Sequence, residues 1–163
     1  MPAWVFIEIV SFGEFLAFYK FCANRFALDP TEKKQILDDF YLMLSTKKIR
    51  NAAAHNSCII NDLRPGNAAT PPNYGLIRAV RELGIGANST RKKLSNERIL
   101  QILNCMYTHN RLVSSPDVHH HLAIDLQHFS KRMFAHYTYE SNPLIQSSFS
   151  IISTAIDKWY PVI

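Results

Sequence analysis

Glycine is scarce, with five residues in 163, and the eight prolines sit mostly at predicted helix starts or in one loop, which argues against a turn-dense all-β chain. Cysteine is scarcer still. Cys22, Cys58 and Cys105 are odd in number, widely spaced and set among apolar neighbours. They form neither a disulfide framework nor a zinc pattern, and they read as reduced thiols in a cytoplasmic protein. The N-terminal run MPAWVFIEIVSFGEFLAFYKF is interrupted by Glu8, Glu14 and Lys20 and has no basic stretch ahead of it, so it reads neither as a signal peptide nor as a membrane span. Internal repeats and low-complexity tracts are absent.

The chain does have apolar and aromatic material for a core, 47% and 12% of residues, and its length suits one domain. Acidic residues are outnumbered, giving a formal charge of +5 and an isoelectric point near 9.2. The cations recur in short groups: Lys47, Lys48 and Arg50; Arg78 and Arg81; Arg91, Lys92 and Lys93. Such a balance favours a polyanionic partner such as RNA, although the solvated faces of many proteins share it.

Apolar spacing and capping residues predict an all-α bundle treated as one domain over 1–163. Pro2 and the apolar spacing after it predict a helix over 2–25 in which Trp4 and Phe15 face the core. Asp29-Pro30-Thr31-Glu32 is a strong start signal for a helix that runs to His55 and buries Phe40 and Met43. Residues 62–75, rich in Pro and Gly, read as a long surface loop. C-terminal helices occupy 76–163: one near 76–83, one capped by Ser95 over 96–108, one from Ser115-Pro116 to about 138, and one from Asn142-Pro143 to Trp159-Tyr160.

Gly84-Ile85-Gly86 lacks a third glycine and follows no strand, so it is a turn rather than a phosphate cradle. His119-His120-His121 invites a metal reading, since Asp117, His121, Asp125 and His128 share one helix face. Neighbouring histidines point apart, however, and no second ligand cluster completes a site, so the segment is assigned to a solvated face and no metal or cofactor is expected.

The segment KKIRNAAAHN, residues 47–56, is more informative. Arg and His at this spacing are expected by chance in a chain with so many of both. The context adds weight: Asn51 follows Arg50 directly, alanines fill the gap to His55, and Lys47 and Lys48 precede it. At helical geometry Asn51 and His55 share a face, whereas Arg50 and His55 lie about 140° apart. Asn51 is thus placed to orient the imidazole, and Arg50 must reach around the helix, act across a subunit boundary, or sit where the helix bends.

RNAAAHN, with the upstream Pro-x-Trp segment, the Phe12-Gly13 pair and the trailing Ile60-Asn61-Asp62, resembles the Abi-like (abortive infection, AbiD/AbiF-type) proteins of the wider HEPN group of helical ribonucleases. Arg50, Asn51, Ala54, His55 and Asn61 match position by position, and the likeness covers about residues 1–62. Two departures accompany it. Family members are commonly longer, with a region ahead of the Pro-x-Trp segment, and an Arg often follows the motif His where Cys58 and its neighbours stand here.

The resemblance implies a HEPN-like bundle with metal-independent endoribonuclease activity in a phage-defence or toxin–antitoxin system, possessing Arg50, Asn51 and His55 as the catalytic set and Lys47 and Lys48 as RNA contacts. In such a reaction a 2′-hydroxyl attacks its adjacent phosphate. His55 suits either proton-transfer role, Arg50 suits the crowded phosphate, and Asn51 suits ring orientation or a phosphate oxygen. One motif supplies one histidine while the reaction wants a base and an acid, so a homodimer pairing two motifs is expected, the alanines permitting close approach. An antitoxin or non-coding RNA is a further expected partner. The reading of a different class is a non-catalytic RNA-binding or protein-binding module of the same kind of system.

Overall fold

The computed structural model describes residues 3–27 and 29–162, and among them eight helices and no strand are found. These are α1 (Ala3–Ile9), α2 (Phe12–Phe26), α3 (Pro30–Ala54), α4 (Tyr74–Glu82), α5 (Ala87–Leu94), α6 (Glu97–Leu112), α7 (Pro116–Phe134) and α8 (Pro143–Trp159). The all-α expectation holds. Pro2, read as a first-turn proline, lies outside the described residues.

The single helix expected over 2–25 is two helices. Ser11 is extended and forms a reciprocal capping box, its N–H donating to Glu14 Oε2 at 2.8 Å while its Oγ accepts from the Glu14 N–H at 3.3 Å. The signal was in Ser-Phe-Gly-Glu, but apolar spacing running across it concealed the break. The chain bends there, because the Phe6 and Phe18 rings, twelve residues apart, have centroids 5.0 Å from each other. A continuous helix would separate them by about 18 Å. The bend sets Phe6 rather than Trp4 against α2. Trp4, expected in the core, is 63% exposed, Phe15 and Met43 are half-buried, and Phe40 is buried as expected.

α3 starts at Pro30 under an Asp29 cap on the Glu32 N–H and stops in a Schellman arrangement. Asn56 takes a left-handed φ of 50°, its N–H donates to Ala53 O, and the Ser57 N–H donates to Ala52 O at 2.8 Å. α3 lies antiparallel to α6. Lys48 pairs with Glu97, the buried Asn104 Nδ2 donates to Leu42 O at 2.9 Å, and Arg111 pairs with Asp39 at 2.6 Å.

Asn96, rather than Ser95, caps α6; Ser95 instead ends α5, a helix that the sequence reading passed over. Asn96 is 1% exposed, and each end of its amide is used. Oδ1 accepts from the Ile99 N–H, while Nδ2 donates to the carbonyls of Asp62 and Arg64. With Gly66 and Ala68 donating to Ser95 O, this pins the 55–73 loop to the start of α6. α7 ends at Phe134, four residues short of expectation, and α8 matches its expected start and end.

The main core is C-terminal. Leu76, Val80, Leu94, Ile99, Leu103, Ile152 and Ile156 pack together from α4, α5, α6 and α8, closed by Tyr160. Among the described residues no helix is long and apolar enough to cross a membrane.

Candidate functional site

The RNAAAHN segment occupies the last turn of α3. Arg50 is exposed, Asn51 half-buried, and His55 exposed at the residue that ends the helix. The structure brings Arg50 and Asn51 together, with the Arg50 Nη1 donating to Asn51 Oδ1 at 3.2 Å. This differs from the expected Asn51–His55 pairing. The guanidinium takes the amide oxygen, and no hydrogen bond joins Asn51 to the imidazole among the described residues. Ala53 and Ala54 are exposed, so the small side chains form an open face rather than an internal seam.

Of the basic residues upstream, Lys48 is already paired and Lys47 lies against α2. Lys48 Nζ sits 2.9 Å from Glu97 Oε1, and Lys47 extends over Gly13, where an added Cβ would come within 2.6 Å of its Nζ. The glycine of the Phe12-Gly13 pair thus gives the lysine room. Burial works to raise the Glu97 carboxyl, but Lys48, the Ala69 N–H and the Gln101 amide outweigh it and hold it below the ordinary value. Asn61 Oδ1 accepts from Arg98 Nε at 2.8 Å, tying the end of the motif region to α6. A cleft of about 470 Å³ opens between the α1–α2 bend and α3, lined by Ile7, Val10, Phe12, Phe15 and Thr46, with Arg50 at its edge. Arg50 therefore borders an apolar hollow and faces no carboxylate partner among the described residues.

The cysteines are free, but Cys58 is exposed, contrary to the expectation of apolar surroundings; Cys22 and Cys105 are half-buried. The histidine run also divides. His120, His121 and His128 are exposed, whereas His119 is half-buried with its Nε2 2.5 Å from Val113 O, so it belongs to the packing of α7 on α6. Its ring meets His109 edge-on at a centroid separation of 4.8 Å, and His109 Nδ1 lies 3.2 Å from Tyr160 Oη. Since Tyr160 gives its proton to Met106 O at 2.6 Å, His109 Nδ1 is the donor to the phenol oxygen. Sequence reasoning missed this cluster because its members come from three helix ends far apart in the chain. Among the described residues no group of three or more His, Cys, Asp or Glu could hold a metal.

Arg50 and His55 thus lie exposed, and Asn51 half-buried, at the end of one helix of an all-helical bundle. Residues 1–61, which hold α1 to α3 and the motif, match the family model described as Abi-like protein. No curated protein and no solved structure matches the chain.

Proposed function

We propose that this protein is a metal-independent endoribonuclease of the HEPN group, acting in the cytoplasm within an abortive-infection or toxin–antitoxin system. The observation that carries the reading is the placement of Arg50, Asn51 and His55 at the open end of α3, inside an Abi-like segment. In this reading Arg50, positioned by Asn51, binds the scissile phosphate, and His55 moves the proton of the attacking 2′-hydroxyl or of the departing 5′-oxygen. A homodimer that lays the exposed Ala53 and Ala54 of two chains together supplies a second His55 for the opposite proton transfer. Lys47 and Lys48 add phosphate contacts. For Lys48 that means exchanging Glu97 for phosphate, and the phosphate contacts as a set make RNA affinity fall with salt. An antitoxin or non-coding RNA completes the system.

The test is cleavage of single-stranded RNA by the wild type and by His55→Ala, in the presence of a chelator. The expected loss is on the order of 10²-fold or more for the variant, with no effect of the chelator. A wild type that is inactive, or a variant that retains its rate, sinks the proposal. A fully active monomer by sedimentation removes the two-chain site. The exposed Trp4, Ile7 and Ile9 of α1 favour a second reading, a non-catalytic protein-binding module. That reading gains if RNA binding is absent or insensitive to salt.

A further inference from the structure

The 66–72 loop, α4 and α5 enclose a cleft of about 400 Å³ whose lining includes Arg81 from α4 and Arg91 from α5. Its walls are otherwise small or apolar: Ile77, Pro71 and Pro72 give hydrocarbon surface, and no acidic side chain lines it. The lining hydroxyls of Thr90 and Ser95 are spent internally on Ile85 O and Lys92 O. Arg81 and Arg91 are not. Among the described residues neither takes part in an ion pair or side-chain hydrogen bond, whereas neighbouring Arg78 is held by Glu82 at 3.0 Å. Two guanidiniums with no carboxylate partner, lining one apolar hollow, make it a favourable place for an anion.

We infer that this cleft binds a nucleoside monophosphate, with Arg81 and Arg91 on the phosphate and the base against Pro71, Pro72 and Ile77. Charge selects the anion. A phosphate monoester carries close to two negative charges at neutral pH and offers oxygens in the fork geometry that guanidiniums take in pairs, while a monocarboxylate brings one charge. Size selects the body: the volume lies at the small end of ligand sites and suits one flat ring system with its sugar, not a long acyl chain. The site is separate from the α3 motif and involves no residue given a role there, so it stands or falls independently of ribonuclease activity.

Titration calorimetry of the full chain at low salt, with AMP, GMP, CMP and UMP against inorganic phosphate and adenosine, tests it. At least one monophosphate is expected to bind about tenfold or more tightly than either fragment. Arg81→Gln and Arg91→Gln should each weaken it by about tenfold, as expected for loss of a charged hydrogen bond. Arg78→Gln, whose guanidinium is already paired, should bind as the wild type does. Ala87→Phe, which fills the cleft and spares both arginines, should abolish binding and keeps the test decisive if an arginine variant folds poorly. The inference is overturned by monophosphates that fail to bind at millimolar concentration, by inorganic phosphate binding equally well, or by unchanged affinity in an arginine or Ala87→Phe variant that folds.

Discussion

The N-terminal helices α1 to α3 and the C-terminal helices α4 to α8 use their apolar residues in opposite ways. Below residue 60 the buried apolar side chains are Leu16, Ala23, Phe40 and Leu42, while Trp4, Ile7, Ile9, Phe18, Phe21 and Phe26 remain exposed. Beyond residue 75 the buried apolar side chains converge on one cluster that spans five helices and closes on Tyr160, and the exposed ones, such as Val118, Phe129 and Tyr137, are scattered along the chain. The N-terminal helices, with few buried apolar side chains of their own, are expected to depend for stability on the docking of α3 to α6. The C-terminal part is the scaffold, and the motif rides on the helix it supports.

The largest way to probe that contrast is truncation on each side. Leu103→Ala, in a side chain with no exposure, should cost about 3 to 4 kcal/mol in urea denaturation, whereas Trp4→Ala should stay within about 0.5 kcal/mol. A Trp4→Ala loss of similar size would mean the α1 face is covered and the contrast false. At the joint between the regions, Asn96→Ala removes a helix cap and two loop anchors together, an expected cost of about 2 kcal/mol or more. Asn96→Asp keeps the acceptor for the Ile99 N–H but cannot donate to the Asp62 and Arg64 carbonyls. It turns a buried carboxylate oxygen toward those two carbonyls, so it should cost at least as much as Asn96→Ala, and the Gly66 and Ala68 amides should exchange faster with solvent.

A smaller effect is pH-dependent and belongs to the C-terminal side. Burial, and then the neighbouring His119, hold His109 below the ordinary imidazole value of 6.5. The fold therefore favours neutral His109, and its contribution is present above that pH and is lost as pH falls toward the depressed value. Thermal midpoints measured from pH 7.5 to 5 should decline, and His109→Gln should flatten the slope. A slope unchanged in the variant would remove His109 as its source. The smallest effect is expected for Lys48→Ala. Its pair with Glu97 joins the two regions but is half open to water on the lysine side, so the loss should be about 0 to 1 kcal/mol, shrinking with added salt.

What the sequence determined by itself was local. Asp29-Pro30, Ser115-Pro116 and Asn142-Pro143 start helices where expected, because a capping bond spans three residues and needs nothing from elsewhere. The motif was legible for a similar reason, as a run of adjacent residues. Tertiary structure decided what those residues face. Trp4 and Phe6 carry equal hydrophobic promise, and the bend at Ser11 sets Phe6, half-buried, against Phe18 while Trp4 stays exposed. Asn51 could serve His55 or Arg50, and at the end of α3 its amide oxygen accepts from Arg50. Lys48 meets Glu97 across forty-nine positions, and Arg81 and Arg91 come to one cleft because α4 folds onto α5. Such pairings depend on how helices dock, which is governed by the burial of whole faces and not by spacing along the chain.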